Sequence, residues 1–362
     1  MGGKPDKLRQ RMSANDLPDP AELHVVNIKS GIVAGLIARA DELGVACEGW
    51  FTGLRLQRAQ FEADPPVYLS YRQACEIVRR ALRSLPGQAH GLVIGQRQDV
   101  GHFGLLGLAM LTAEDFGEAL RIGIHYAPIT GAMMELQLEP CRGGDGRDCV
   151  AVSARMRTRE AEIEPFLCEE LFASCLMLCR GLLGPGFSPL AAELAYPAPA
   201  HAADYARVFG CAVDFDAGCN RVVIERRWLQ VAMPAHNPAS AAHVLALCRE
   251  QMPSERPVNE IVGAVERLLL LQLADAPRLI DIAAELHLTE RTLRRHLCDA
   301  GTSYKAIHDR VRREAAEALL RRPDARIAEV GAAVGFRDAR EFRRAFKRWT
   351  GMAPREMRQR AN

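Results

Sequence analysis

Along the first 240 residues, apolar side chains recur at helical spacing in several stretches and alternate with polar ones in a few shorter stretches. Helical spacing predicts amphipathic helices over residues 31–45, 70–85, 113–126, 164–184 and 200–210. Thr112 precedes the third of these helices and is its expected N-cap. Alternation over residues 133–140 and 149–156, on either side of a glycine-rich turn, predicts a β-hairpin. We therefore expect an α+β domain in this part of the chain.

Beyond Pro257 the apolar pattern is helical throughout, and one segment of it occurs twice. Residues 279–297 and 326–346 each comprise a short apolar helix, a tight turn and a second helix rich in arginine. Corresponding apolar positions lie 48 residues apart before the turn and 49 after it, as in Ile282 with Val330, Leu293 with Phe342, and Leu297 with Phe346. This pattern is typical of a helix-turn-helix unit, whose second helix enters the major groove of DNA.

The second helix of each repeat, over residues 290–300 and 339–349, is the predicted DNA-reading element. Its leucines or phenylalanines face the core, which leaves the arginines on the outward side. Arginine suits this role because its planar fork binds guanine bidentately and also binds phosphate. The alternative is that the arginines form a solvated charged face without a ligand. The occurrence of the same arginine arrangement in both repeats argues against this alternative. The predicted DNA-contacting residues are Thr289, Arg291, Thr292, Arg294 and Arg295 in the first helix and Arg340, Arg343, Arg344, Lys347 and Arg348 in the second.

Residues 303–322 form the predicted helical connection between the two repeats. Its expected apolar stripe consists of Ile307, Val311, Ala315 and Ala318 or Leu319. A helix of this length spans roughly 25 Å at 1.5 Å per residue. That length is of the right order to place two recognition helices about 34 Å apart, which is one turn of DNA.

The charge of the chain is unevenly distributed, although the composition is that of an ordinary globular protein, with 48% hydrophobic and 25% charged residues. The formal net charge is only +2. Residues 288–362 hold 19 Lys and Arg against 10 Asp and Glu, a net charge of +9, so the rest of the chain carries −7. A basic C-terminal segment on an acidic larger part indicates that the C-terminal segment meets a polyanion, with a solvated basic face as the alternative.

Several classes of protein are not expected. The sequence has no apolar run long enough for a transmembrane helix and no secretory signal. Eleven cysteines at irregular spacing favour reduced thiols in the cytoplasm. Cys168, Cys175 and Cys179 share one face of a helix, where buried small hydrophobes are favoured over a redox or metal site. No nucleotide-binding loop, catalytic motif or zinc pattern is present, so we expect no enzyme, no cofactor, no catalytic residues and no metal site.

Residues 334–358, VGFRDAREFRRAFKRWTGMAPREMR, resemble the signature of AraC/XylS-type transcription regulators. The shared features are a turn ending in Gly-Phe, an aromatic-rich helix and the closing Thr-Gly-x-x-Pro of residues 350–354. The resemblance extends from Pro257 to the end of the chain. It implies two recognition helices in successive major grooves, and it departs from the family pattern at Glu341. By position, it implies DNA contacts for Arg291, Arg294 and Arg295 in one groove and Arg340 and Arg344 in the next.

Residues 101–120 and 200–234 resemble the arabinose-binding-like effector domain of one AraC-type subgroup. That resemblance implies a small effector, which is an amino acid, a fatty-acid-like compound or another metabolite. An apolar pocket with one charged anchor is the usual arrangement, and Arg121 or His125 is the candidate anchor for a carboxylate. Ordinary core packing or surface exposure is the alternative for each candidate. The predicted effector-contacting residues are His102, Phe103, Arg121, His125, Tyr126, Met133 and Met134.

The predicted organisation is a disordered tail (1–22), an α+β effector-binding and dimerisation domain (23–240), an interdomain helix and linker (241–256) and an all-α double helix-turn-helix domain (257–362). The predicted function is sequence-specific transcription regulation in the cytoplasm. Its predicted partners are double-stranded DNA, a small effector, RNA polymerase and a second copy of the chain, with no membrane. The alternative is a DNA-repair protein that accepts a methyl group on cysteine and uses the same DNA-binding module. The operator, the effector and the sign of control are left open.

Overall fold

The computed structural model describes residues 22–62, 66–144, 146–252, 259–322 and 325–361. Residues 1–21 of the predicted tail lie outside these ranges. The chain divides into two compact units, residues 1–257 and residues 258–362. The first unit is α+β and the second is helical, which confirms the predicted fold class.

In the described part of the first unit, helices and strands are interspersed along the chain. Its helices are α1 (Gly31–Leu43), α2 (Tyr71–Ser84), α3 (His90–Gly95), α4 (Leu105–Leu111), α5 (Phe116–His125), α6 (Glu164–Leu183), α7 (Ala202–Phe209) and α8 (Pro238–Gln251). Its strands are β1 (Val26–Lys29), β2 (Tyr68–Ser70), β3 (Met134–Arg142), β4 (Asp148–Met156), β5 (Ala191–Glu193), β6 (Ala212–Asp214) and β7 (Asn220–Glu225).

Five of these strands form one sheet in the order β3-β4-β7-β5-β6. All its neighbouring strands are antiparallel except β5 and β6, which are parallel. Strands β3 and β4 pair from Met134 with Met156 to Arg142 with Asp148, which confirms the predicted hairpin. Strands β1 and β2 form a separate antiparallel pair.

Helix α2 shows how side chains fix a helix start inside this unit. The Gln73 amide N–H donates to Ser70 Oγ at 3.1 Å, and the Ser70 N–H donates to Gln73 Oε1 at 3.0 Å. This reciprocal capping box satisfies backbone donors that would otherwise lack partners in a buried position. Gln73 Nε2 also donates to the Leu54 carbonyl at 2.9 Å, which attaches the loop before β2 to the helix start.

The predicted role of Thr112 is wrong. Thr112 follows the last residue of α4, and its hydroxyl donates to the Leu108 carbonyl at 3.0 Å. The next helix begins at Phe116 and is capped by Asp115, whose Oδ1 accepts a hydrogen bond from the Glu118 N–H at 2.7 Å. A threonine hydroxyl can bond to the preceding turn as well as the following one, so the residue type alone does not identify the helix start.

Helices α3 and α6 approach closely because glycines of α3 face α6. A Cβ added at Gly95 would lie 2.7 Å from the Ala173 Cβ, and one added at Gly91 would lie 2.4 Å from the Phe166 carbonyl oxygen. Glycine at these positions therefore permits the close contact. Helix α8 overlaps the predicted interdomain segment of residues 241–256, and it buries Val244 and Cys248 in the core of the first unit.

The described part of the second unit consists of helices and turns. Its helices are α9 (Glu260–Leu271), α10 (Leu279–Glu285), α11 (Glu290–Asp299), α12 (Tyr304–Leu320), α13 (Ile327–Ala333), α14 (Ala339–Thr350) and α15 (Pro354–Ala361). The two helix-turn-helix units are α10-α11 and α13-α14, and α12 connects them, as the sequence predicts.

Helix α12 contributes to two small cores. Ile307 and Val311 pack in the first core with residues of α9, α10 and α11, and Ala316 and Leu320 pack in the second core with α13 and α14. Ala315 and Leu319 of the predicted stripe are half-buried and pack against the second core, whereas Ala318 is exposed. The fully buried positions are Ala316 and Leu320, each one residue further along. The second core lies on a face about 100° further round the helix, which is one residue of an α-helix.

In the part of the chain that the structure describes, no helix combines the length and apolar character that a bilayer crossing requires.

Candidate nucleic-acid interface and effector cavity

The turn between the two helices is built in the same way in both repeats. His287 (φ 55°) and Gly335 (φ 79°) adopt the left-handed backbone conformation at corresponding positions. In each repeat the following amide donates to a carbonyl of the preceding helix at 2.9 Å, and this Schellman-type end fixes the direction of the chain as it enters the second helix. The two hydrogen bonds run from Leu288 to Ala283 and from Phe336 to Gly331.

Helix α11 is capped by Thr289, whose Oγ1 accepts a hydrogen bond from the Thr292 N–H at 3.1 Å. Leu293 and Leu297 are fully buried on its inner face. Thr292 is half-buried, and its hydroxyl shares a 2.8 Å hydrogen bond with that of Thr289. The cap and the two leucines therefore orient the opposite face toward solvent. The exposed predicted residues of this helix are Thr289, Arg291, Arg294 and Arg295.

Helix α14 is capped by Asp338, whose Oδ1 accepts a hydrogen bond from the Arg340 N–H at 2.9 Å. Phe342 and Phe346 are fully buried, and Gly351 (φ 76°) ends the helix. The cations stand at i, i+3, i+4, i+7 and i+8, which is the spacing of one helix face. All five predicted residues of this helix are exposed, namely Arg340, Arg343, Arg344, Lys347 and Arg348.

The two recognition helices differ in how their arginines are neutralised. In α11, Arg294 Nε donates to Glu290 Oε1 at 3.1 Å. Ala339 occupies the position of α14 that corresponds to Glu290, so Arg343 has no acid one turn before it. An exposed pair of this kind is weak, but it keeps the guanidinium on its own helix.

The same contrast holds over whole helices. Residues 290–299 carry three arginines and two acids, whereas residues 339–348 carry five cations and one acid. Arg348 Nη2 lies 3.7 Å from Asp309 Oδ2 on α12. Among the described residues, the other predicted cations of α14 have no ion-pair partner within the protein. Helix α14 is therefore the stronger anion-binding surface of the two.

Arg312 of α12 is a residue that the sequence reasoning missed. Its Nε donates to the Val334 carbonyl at 2.6 Å, and its Nη2 donates to the Gly335 carbonyl. Its guanidinium also lies 4.0 Å from the centroid of the Phe336 ring. Burial lowers the pKa of Arg312 below its ordinary value. The side chain thus holds the turn of the second repeat against the connecting helix. Its position directly after Val311, at the edge of the predicted apolar stripe of that helix, is the sequence signal that points to it.

The first unit contains an apolar cavity of about 100 Å³ between its larger sheet and helices α4, α5 and α6. Among the described residues that line it, none carries a charged side chain. The walls include Met110 of α4, Ile124 of α5, Phe172 and Cys175 of α6, and Val152 and Val222 of the sheet. A concave, largely apolar space of this kind is where a small molecule binds in many proteins.

The predicted effector-contacting residues take three different positions. Phe103 lines the cavity. Three others are buried in the surrounding core without lining it, namely Tyr126, Met133 and Met134. The remaining three are exposed, namely His102, Arg121 and His125. His102 Nδ1 lies 2.8 Å from Asp99 Oδ1, as part of a local turn. The structure thus brings only Phe103 of the seven to the cavity, and an effector contact by any of them stays a prediction.

A buried carboxylate lies between α3, α6 and α7. Glu169 is 3% exposed, and its Oε1 accepts a hydrogen bond from the Tyr205 hydroxyl at 2.6 Å. His201 Nε2 lies 2.6 Å from the same oxygen, and the Gly91 N–H donates to Oε2 at 3.2 Å. Burial and the charge of Glu169 raise the pKa of Tyr205 above its usual range. Because each carboxylate oxygen has partners, the cluster is interpreted as a structural one.

All eleven cysteines are free thiols. Cys175 and Cys179 line the cavity, and Cys168 is fully buried on the same helix. Burial raises the pKa of Cys175 to about 12 and also raises the pKa of Cys168 and Cys179. These groups are therefore neutral thiols rather than nucleophilic thiolates. Within the described ranges, no group of three or more metal-ligating side chains has the arrangement of a metal site.

Paired arginine-bearing helices are suited to contact with DNA, and an apolar cavity in a separate unit is suited to a small ligand. A protein that combines the two is a DNA-binding regulator with a ligand-binding domain. Residues 44–233 match the family model for the N-terminal arabinose-binding domain of AraC transcription regulators, and residues 282–360 match a helix-turn-helix domain model. The chain belongs to the AraC family of transcription regulators, which confirms the resemblance noted in the sequence.

Relatives support this assignment along nearly the whole chain. The ornithine utilization regulator of Pseudomonas aeruginosa is 32% identical over 324 residues, which cover 90% of this chain and 94% of the relative. An uncharacterized HTH-type transcriptional regulator of Mycobacterium tuberculosis is 27% identical over 349 residues, covering 94% and 98%. The crystal structure of the transcriptional regulator CdpR from Pseudomonas aeruginosa shows 24% identity and a TM-score of 0.45, covering 91% and 98%. The two sequence relatives are named as regulators and give no support to the DNA-repair alternative.

Proposed function

We propose that α11 and α14 read two successive major grooves of an operator, and that a small molecule bound in the first unit controls this binding. The observation that carries the proposal is the matching row of exposed arginines. Arg291, Arg294 and Arg295 of α11 correspond in position to Arg340, Arg343 and Arg344 of α14, and each row follows a turn of the same geometry. Equivalent backbone geometry presents equivalent side chains in the same way to two grooves.

The two rows perform two tasks on DNA. Arginines near the start of a recognition helix reach base edges, and those further along contact phosphates. A bidentate arginine–guanine contact contributes about 1–3 kcal/mol of discrimination between bases. The additional cations of α14, Lys347 and Arg348, add phosphate contacts that are independent of sequence.

Effector control requires that the ligand favour one arrangement of the protein over another. A ligand that binds the DNA-competent state more tightly raises DNA affinity by the ratio of its two affinities, and the reverse lowers it. The first unit, with its cavity, is the proposed effector-binding part. RNA polymerase and a second copy of the chain are the proposed protein partners. The sign of control follows from which state the ligand prefers.

The test of the DNA-reading helices is a DNase I footprint on a fragment that the full-length protein selects from a random-sequence library. The variants are Arg295→Ala in α11 and Arg344→Ala in α14. Each is expected to weaken binding by about 1–3 kcal/mol and to uncover its own half of the footprint. Arg227→Ala is the control, because Arg227 is an exposed arginine of the first unit. Protection that survives both recognition-helix variants contradicts the assignment.

The test of effector control is a thermal-shift screen of the full chain against metabolites, followed by DNA-binding measurements with each compound that stabilises the protein. Ornithine belongs in the screen because a relative of this chain is named an ornithine utilization regulator. A ligand that binds only the folded state raises its stability by mass action. Compounds that stabilise the protein without changing its DNA affinity contradict effector control.

A further inference from the structure

The cavity of the first unit is formed by elements that are distant in the sequence. Helix α6 supplies one wall through Leu171, Cys175 and Cys179, and the sheet supplies another through Leu136 and Val222. Cavities of roughly this size accommodate a single aromatic ring or a short alkyl chain. The space is therefore of the right order for a small molecule, or for the apolar part of a larger one.

The few polar atoms of the lining are already engaged or neutral. The Thr130 hydroxyl donates to the Ala127 carbonyl of its own turn at 2.8 Å. The thiols of Cys175 and Cys179 are neutral, because burial raises the pKa of both. A thiol is at most a weak hydrogen-bond donor. The walls thus offer no strong partner to a charged ligand.

The charged groups near the cavity are also committed elsewhere or unfavourable to an anion. Arg180 follows Cys179 on α6, and its Nε donates to the Phe187 carbonyl at 3.2 Å. Glu170 lies close enough to Cys175 for its charge to contribute to the raised pKa of that thiol. Burying an ionised carboxylate or ammonium group without a partner is strongly unfavourable. Burial raises the pKa of Glu170 to about 7, and its Oε1 accepts a hydrogen bond from the Ser174 hydroxyl at 3.0 Å, so in neither protonation state does this carboxyl supply a positive partner for an anion.

We propose that this cavity binds an uncharged, apolar small molecule, such as a single-ring aromatic or short alkyl compound, rather than an amino acid or another charged metabolite. The proposal rests on the proposed function in taking this ligand to be the effector, but the binding preference itself follows from the walls. The sequence-predicted arrangement of an apolar pocket with one charged anchor is replaced by a pocket whose lining holds no anchor among the described residues.

The experiment compares toluene and benzoate, which share a ring and differ in charge, as probes of the full-length protein. At equal concentrations, toluene is expected to raise the melting temperature of the wild-type chain, and benzoate is expected to leave it unchanged. Cys175→Phe places a ring in the cavity and is expected to weaken toluene binding by at least about tenfold, since the space is occupied. Leu108→Phe is the matched control, because Leu108 is an exposed residue of α4 outside the lining.

Val222→Leu makes a smaller change in the sheet wall of the cavity in case Cys175→Phe does not fold, and toluene binding should fall in this variant as well. Three results would overturn the inference. In the first, benzoate stabilises the wild type as much as toluene does; in the second, neither probe stabilises it. In the third, toluene binds both filled variants as tightly as it binds the wild type. The DNA affinity with toluene bound separates the two proposals. An unchanged DNA affinity together with specific stabilisation by toluene supports the apolar cavity and contradicts effector control. A charged metabolite that stabilises the protein and shifts its DNA affinity, while toluene does neither, supports effector control and rejects the apolar cavity.

Discussion

The first repeat places Ala283 and Leu293 where the second places Gly331 and Phe342. A Cβ added to Gly331 would lie 3.2 Å from the Phe342 Cβ, which is tighter than an ordinary contact. The smaller residue on one helix therefore makes room for the larger one on the other. The two repeats keep one backbone plan and fill it with different pairs of side chains, as close-packed interiors require.

The turns of the two repeats show the same contrast more strongly. His287 adopts a left-handed conformation with its side chain exposed to solvent. Gly335 adopts the same conformation, but a Cβ there would lie 2.5 Å from the Leu273 carbonyl oxygen and 2.9 Å from Arg312 Nη2. Equal backbone geometry thus does not imply equal tolerance to substitution. The surroundings of the turn decide it, and in the second repeat they include the Arg312 side chain.

The largest expected effect on stability comes from placing alanine at the left-handed position of each turn, Gly335 in one repeat and His287 in the other. Gly335→Ala should lower the free energy of unfolding by about 2–4 kcal/mol, because it adds left-handed strain and a clash with backbone. His287→Ala should change it by less than about 1 kcal/mol, because a side chain already occupies that conformation at an exposed site. Urea unfolding measures both, with hydrogen exchange over residues 327–350 to locate the change. Equal losses in the two variants would contradict the proposed role of the surroundings.

A somewhat smaller effect is expected for Arg312. Arg312→Met keeps the length of the side chain but leaves the Val334 and Gly335 carbonyls without their charged donor. The cost should be about 2 kcal/mol, and hydrogen exchange should increase in α13 and α14 more than in α10 and α11. Arg312→Lys is the matched control, and it should recover only part of the loss because lysine lacks the planar fork. Faster exchange in both repeats to the same degree would argue against a local role.

The charge difference between the recognition helices predicts different dependence of DNA binding on salt. Arg343→Ala should reduce the slope of log affinity against log salt by about 0.9, the value for one phosphate contact. Arg294→Ala should reduce it by less, because Glu290 already neutralises Arg294 in part. Fluorescence anisotropy over a series of salt concentrations measures both slopes. The comparison fails if the two variants lower the slope by the same amount.

The smallest expected effect sharpens that comparison. Glu290→Ala gives α11 the residue that α14 has at the corresponding position, Ala339. Release of Arg294 should strengthen DNA binding by about 0.5 kcal/mol at low salt, in proportion to the weak exposed pair that is removed. Binding isotherms of the wild type and the variant at low and high salt measure the change. A weaker affinity in the variant would show that Glu290 itself contacts DNA.

The helix-turn-helix part of the fold was predictable because its signals are local and repeated. The caps at Thr289 and Asp338, the buried apolar positions and the outward arginines all lie within about 20 residues of one another in each repeat. Because these sequence signals lie close together, each one supports the helix assignment that the others indicate. Ala315 and Leu319 of the predicted α12 stripe pack against the second core, but the fully buried Ala316 and Leu320 were missed, because a single helical period does not show that the helix serves two cores.

The cavity was not predictable in the same way. Its walls come from residues between Phe103 and Ile224, and each taken alone reads as ordinary core. The effector contacts predicted from the sequence were mostly polar and aromatic residues that lie near one another in the chain. Several of them, such as Arg121 and His125, are exposed to solvent and do not line the cavity. A space lined by aliphatic and aromatic side chains and thiols leaves no chemical signature in the sequence. Only the packing of helices on the sheet reveals it.

Helix α12 packs into both cores, through Val311 in one and Leu320 in the other, and therefore fixes the spacing between the two repeats. The separation and relative rotation of α11 and α14 are set by one helix instead of a flexible tether. If α11 and α14 read neighbouring grooves as proposed, this fixed spacing fits two half-sites only at one phase of the double helix. Moving one half-site by about five base pairs, half a helical turn, turns it to the far side of the duplex. The protein would then bind only one half-site at a time, even if each half-site sequence has a high affinity for its recognition helix.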